Sequence, residues 1–293
     1  MSQILAETVI RKALKDIKND PQRSIRNLVD MAVYFCNGKF KEQLLIAIQE
    51  MLENENSAYY DLIEDIVINV DNDRLLQFGM NIGYNSCTLG AKKIRNWELE
   101  HKRKISWAVT LKIEEDMEYY RKVISEKEQI GIFTWFLIVE KNLMDVLFLI
   151  KDFPESAFIV FCNAERLTEE LIDEISNIPN MMIVISYDEK TEEMCTRLRE
   201  EKILYGVSYY YHQESISYIK SGDLFYDVQA LHPAVTILVP KYECEKSVQE
   251  EVHQLILETR ERQCYSTLAF ELCGDIDLID RIISDNKICP FSH

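Results

Sequence analysis

The sequence predicts an α/β fold, either a barrel or an open parallel sheet, behind a set of N-terminal helices. Three observations carry this. Between about residues 105 and 270, apolar runs of strand length alternate with amphipathic helical runs six or seven times. The strand-like runs are apolar on both faces, as parallel strands covered by helices must be. The chain has 293 residues and is 47% apolar, enough for a substantial core.

The elements follow in order. Residues 1 to about 75 read as helices. Ile4, Val9 and Leu14 mark the first, ended at Asn19-Asp20-Pro21. Ile25, Leu28, Val29, Ala32 and Val33 form the stripe of a second, which stops near Gly38. Phe40, Leu44, Leu45, Ile48, Met51 and Leu52 recur at helical spacing in a third. Asn54-Glu55-Asn56-Ser57 is a polar break rich in capping residues, and Leu62, Ile63, Ile66, Val67 and Val70 make a fourth stripe. Residues 78–87, with two glycines and two asparagines, predict an irregular or short extended connector. It could line a pocket or simply join the helices to the sheet. Residues 91–104 hold six Lys or Arg against two Glu, the one basic patch in the chain. They read as a solvated helix face with Ile94, Trp97 and Leu99 packed inward, and also as a surface for an acidic partner.

The repeating part then places strands at 105–113, 130–139, 157–162, 181–186, 204–211 and 235–239, with a possible seventh at 267–272. A helical run follows each strand, the one at 246–262 being the longest. Right-handed crossovers join parallel strands of this kind.

Composition excludes several functions. The formal charge is −17, which disfavours nucleic acid and anionic membranes, since polyanion binding relies on Lys and Arg. No apolar stretch is long enough to span a bilayer. The charged start MSQILAETVIRKALKD is no secretory signal, so a cytoplasmic location is expected. The eight cysteines form no C-x-x-C and no cysteine–histidine pair at metal spacing. Cys162 and Cys195 sit in apolar runs and read as buried, reduced thiols. The eight glycines form neither G-x-G-x-x-G nor G-x-x-x-x-G-K, so a phosphate-cradling loop of those kinds is excluded. The five histidines form no H-x-H or H-E-x-x-H, and no serine stands in G-x-S-x-G. No metal ligand set is expected. The run Tyr209-Tyr210-Tyr211 reads as strand packing.

Barrel sites sit at the C-terminal ends of strands. Glu114, Glu140, Asn163, Glu165, Asp188, His212, Lys241 and Glu271 stand there. Of these, Glu140, Asp188, His212 and Lys241 combine acids, a cation and a group that titrates near neutrality, so a rim of them could do acid–base work. The same residue types also cap strands and start helices.

The ordered pattern resembles the radical SAM superfamily over most of the chain. FGMNIGYN, a basic helix and ISWAVTLKI look like the lead-in to the first barrel strand in one bacterial branch of it. EKEQIGIFTWFLIVE resembles the helix and second strand that normally end in glycine-glycine-glutamate. SAFIVFCNAERLTEELIDEI, NMMIVISYDE and KILYGVSYYYH are similar to the third, fourth and fifth units. The resemblance implies a partial (β/α)6 TIM-like barrel over residues 105–293, behind an N-terminal helical region and connector over 1–104. It also makes Glu140, Ser186 and Asp188 vestigial cofactor contacts.

The departures decide the functional expectation. Working members carry C-x-x-x-C-x-x-C in a loop after the first strand, to hold a [4Fe–4S] cluster. Here Ile113 runs straight into Glu114-Glu115-Asp116, and Ile138 and Val139 replace the glycine pair. The expectation is therefore a catalytically degenerate, non-enzymatic binding or accessory protein, without iron–sulfur cluster or S-adenosylmethionine. A partner protein would meet the N-terminal helices or segment 91–104. The alternative is an enzyme of another chemistry using the acidic, His and Lys rim. A mouth filled by side chains favours the first and a deep polar pocket the second.

Overall fold

The computed structural model describes residues 3–35 and 46–284. Phe40, Leu44 and Leu45 of the expected third helix lie outside them, as do Cys36, Cys289 and His293.

Five helices lead: α1 (Gln3–Ile17), α2 (Pro21–Phe35), α3 (Ile46–Met51), α4 (Ala58–Asn69) and α5 (Asn72–Met80). The polar break does cap α4, because Ser57 Oγ accepts from the Tyr59 amide at 3.2 Å. Asp71 caps α5 in the same way through the Arg74 amide. Ile17, Ile25, Leu52, Tyr60 and Val67 bury a small core of their own.

The expected connector is instead helical. Residues Asn81–Gly90 form a π-helix that runs from α5 into α6 (Ala91–His101). Its asparagines are not turn residues but anchors. The Asn81 amide donates to the carbonyls of Pro154 and Ser156, and the Asn85 amide to that of Glu155. Gly90 lets this helix touch the next layer, since a Cβ there would stand 2.3 Å from the Gly131 carbonyl oxygen. On α6 the inward stripe is Ala91, Ile94 and Glu98, while Leu99, expected inside, is 53% exposed. Glu98 wins the buried position because it accepts from the Ile105 amide and from Ser284 Oγ.

Seven strands follow: β1 (Ala108–Ile113), β2 (Thr134–Val139), β3 (Ala157–Cys162), β4 (Met181–Ser186), β5 (Tyr205–Tyr211), β6 (Val235–Pro240) and β7 (Leu268–Glu271). They pair in sequential order, all parallel. β1 and β7 do not pair, so the sheet is a curled half-barrel, one strand longer than the six-stranded partial barrel expected. The helices between strands are α7 (Met117–Ile130), α8 (Leu143–Lys151), α9 (Glu169–Ser176), α10 (Thr191–Glu200), α11 (Ile216–Lys220), α12 (Asp223–Gln229) and α13 (Lys246–Arg262); α14 (Leu272–Ile283) follows β7. Caps set their bounds. α7 begins where Asp116 accepts from the Tyr119 amide and ends at Gly131, whose φ of 106° suits glycine.

The rings of Phe136 on β2 and Phe270 on β7 stack at 6.2 Å, although five strand steps separate them. Only the concave side of a curled sheet brings those strands together. Alternation then puts Phe136, Ile138, Phe161, Val184 and Ile237 on the concave face.

The N-terminal helices close the end of the half-barrel where the strands begin. Arg74, 2% exposed, donates to the carbonyls of Ile175, Ser176 and Ile178 just before β4. The Asp71 amide donates to the Lys202 carbonyl before β5, and the Ala58 amide to that of Gln263 before β7.

Candidate functional site

The strand ends carry a charged rim, but its groups are paired between neighbours. Lys112 on β1 meets Glu140 after β2 at 2.9 Å. Lys190 meets Glu165 at 2.8 Å, and Ser186 Oγ donates to Asn163 Oδ1 at 3.1 Å, both linking the ends of β3 and β4. The Lys112 ammonium holds the Glu140 carboxyl below the usual carboxylate range, and Lys190 does the same for Glu165. A carboxylate stabilised as its anion is a poor proton acceptor near neutrality.

The four acid–base candidates occupy separate places. Glu140 is spent on Lys112. Asp188 Oδ1 accepts from the Lys190 amide at 2.8 Å and helps start α10. His212 Nδ1 accepts from the Glu214 amide at 3.2 Å, and its own amide donates to Ser215 Oγ, which caps a short 3₁₀ turn. Lys241 is exposed, and its amide donates to the Tyr211 carbonyl. Among the described residues, no hydrogen bond or ion pair joins any two of these four. Of the vestigial trio, Ser186 also accepts through its carbonyl from Thr191 Oγ1, so its polar atoms serve the β4–α10 turn.

The concave face beneath this rim is filled. Phe136 lies 6.4 Å from Phe161 and 6.2 Å from Phe270, ring centre to ring centre. Ile138 sits level with Phe161 on the concave side, and Val139 turns outward under α8 and is buried. Of Ile138 and Val139, only Ile138 therefore faces the interior. β1 passes into α7 through Glu114, Glu115 and Asp116 alone.

Cys162 and Cys195 are buried in the core. Burial pushes Cys162 and Cys195 each up to about 12, and Cys273 to about 11. Among the described residues, no three His, Cys, Asp or Glu are grouped to hold a metal ion. Among the described residues there is thus no set of three convergent thiolates, which a [4Fe–4S] cluster needs.

The sequence pattern missed a buried polar network behind β7. Glu271, expected at a strand end, is fully buried there; its Oε1 accepts from the Tyr211 hydroxyl at 2.9 Å, and its other oxygen accepts from the Gly274 amide. Burial raises its pKa. Asp275 accepts from the Glu271 amide and from Arg260, and His253 Nε2 lies 3.3 Å from its Oδ1. Apart from the local Glu271–Gly274–Asp275 turn, the hydrogen-bonded partners are 15 or more positions apart and come from β5, α13, β7 and α14, so no local spacing reveals them.

In comparisons with known proteins, no family model matches this chain. No curated protein matches it. Among solved structures it is similar to two crystal structures of Streptococcus suis SuiB. The one bound to S-adenosylmethionine aligns with a TM-score of 0.44 at 7% identity, covering 56% of this chain and 46% of that one. The other aligns with a TM-score of 0.47 at 8% identity, covering 91% of this chain and 64% of that one. The chain thus spans less than two thirds of the length of either. The α/β half-barrel itself stands on the strand order and register described above.

Proposed function

We propose that this chain is a catalytically degenerate relative of the radical SAM enzymes that works by binding, as an accessory to another protein. The observation that carries this reading is the turn after β1. Three acidic residues, Glu114 to Asp116, lead directly into α7, where a cluster loop would need room and three thiolates. The aromatic filling of the concave face and the high pKa values of the buried thiols support it. The neighbour-by-neighbour pairing of the rim charges also argues against a convergent acid–base site there. The N-terminal helices and the basic segment 91–104 are the surfaces this reading gives to a partner, the latter to an acidic one.

The test is purification under both aerobic and anaerobic conditions, followed by iron analysis and calorimetry with S-adenosylmethionine. The expected result is neither stoichiometric iron nor binding heat. Stoichiometric iron with a cluster spectrum, or release of 5′-deoxyadenosine, would overturn the reading. Binding of S-adenosylmethionine without iron would replace it with a cofactor sensor.

A further inference from the structure

A cleft of about 690 Å³ lies between α13, α14 and the segment that leads into β1. Ligand sites run roughly from 300 to 1,000 Å³, so its size suits a small molecule. Two helices that face each other usually do so with apolar stripes. Here the facing stripes are polar. Lys246, Glu250 and His253 line one wall at helical spacing, and Asp277, Arg281 and Ser284 the other.

Arg281 Nε donates to the Asp277 carbonyl at 3.2 Å. Lys104, Lys246, Arg281, Glu250 and Asp277 are exposed, and among the described residues none of the five is in an ion pair. Exposed charges elsewhere are paired in some places, as in Lys112–Glu140, Lys190–Glu165 and Lys220–Glu251, and among the described residues unpaired in others, as at Lys241. The remaining lining acids are committed. Asp280 accepts from the Trp107 amide at 2.7 Å and from Ser106 Oγ at 2.8 Å, and Glu271 accepts from Tyr211 and Gly274.

The wall is also built from within. Asp275, 1% exposed, is a carboxylate held by Arg260 at 2.6 Å, and it lies 3.3 Å from His253 Nε2. A carboxylate only accepts, so Nε2 carries the proton in that contact. Among the described residues Nδ1 has no hydrogen-bond partner, although the imidazole lines the cleft.

We propose that this cleft binds a small zwitterion, a free amino acid or a short peptide. Its carboxylate lies against Lys104, Lys246 and Arg281, and its ammonium against Glu250 and Asp277. His253, which lines the same cleft, borders the ligand. The proposal does not rest on the accessory reading, because iron content and zwitterion binding are separate measurements.

Calorimetry on the full chain tests it, with L-alanine, L-glutamate, L-lysine, glycylglycine and triglycine as probes. Acetate and N-acetylglycinamide serve as controls that lack one or both charges. At least one zwitterion is expected to bind, with both controls weaker by about tenfold or more. Peptides binding above amino acids identify a peptide site, and the reverse identifies an amino-acid site. The double variants K246A/R281A and E250Q/D277N change exposed residues only. Each is expected to weaken binding about tenfold while circular dichroism and Tm stay unchanged. Absence of zwitterion binding, equal binding of N-acetylglycinamide, or unaltered binding in both double variants would overturn it.

Discussion

Arg74 is the side chain on which docking of the N-terminal helices turns. It is buried and satisfies three carbonyls that no other side chain reaches. Loss of aqueous solvation lowers its pKa to about 10, which leaves it charged at neutral pH. A methionine there would fill the volume and remove all three bonds, although the Ile175 carbonyl keeps the Ile178 amide, so Arg74→Met is expected to cost about 3 kcal/mol in urea unfolding. Lysine cannot form a three-way fork, so Arg74→Lys is expected to recover only part of that loss. The rim ion pairs behave differently. Lys112 and Glu140 are more than half exposed, and a solvated pair contributes little. Replacing Glu140 with glutamine is expected to leave the thermal midpoint unchanged, as measured by calorimetry.

At the scale of elements, two contacts hold the half-barrel's ends. The first is the crossing of the π-helix with the end of α7. A Cβ on Gly90 would press on the backbone oxygens of Gly131 and Asn85, neither of which can swing aside. Gly90→Ala is therefore expected to cost about 2–3 kcal/mol by denaturant melt, the range of an overpacked core. The second is α14. It starts on β7 at the Glu271 cap and ends beside the approach to β1, so it bridges the two unpaired sheet edges. Asp280 makes that junction through the Trp107 amide and Ser106 hydroxyl. Asp280→Ala is expected to cost about 2 kcal/mol, because it strands a buried amide. Hydrogen exchange should then quicken in β1 and α14 before β3 and β4. Uniform exchange across the sheet would refute a local staple.

At the scale of the whole molecule, buried carboxyls set the pH dependence. Burial raises the pKa values of Glu128, Glu271 and Asp280 above their ordinary values of 4.5, 4.5 and 3.8. Between its ordinary and raised value, each group binds more proton folded than unfolded. Stability therefore falls as pH rises through that window and recovers as pH falls back through it. Self-repulsion at a net charge of −17 acts in the same direction. The lowered pKa values of Glu140 and Glu165 act oppositely, by losing stability as pH falls through their folded values, but these are exposed pairs. The Tm is expected to peak at about pH 5–6 and to be lower at pH 8. A Tm that climbs steadily to pH 8 would contradict this.

The sequence by itself determined the alternation of strands and helices, the parallel sheet and the helical N-terminus. Those rest on periodicity, which is a local property: IVFC and MMIVIS are apolar on both faces whatever their neighbours do. It also exposed how short the turn after Ile113 is, because that turn is read directly along the chain. Tertiary structure decided the rest. Asparagines 81 and 85 looked like turn residues until carbonyls more than 65 positions away gave them partners inside a helix. Glu98 displaced Leu99 from the interior for the same reason. The rim was legible as a set of strand ends but not as a set of neighbouring pairs, and the cleft between α13 and α14 was not legible at all. Both depend on which distant side chains the curl of the sheet brings within hydrogen-bonding reach, and periodicity carries no record of that.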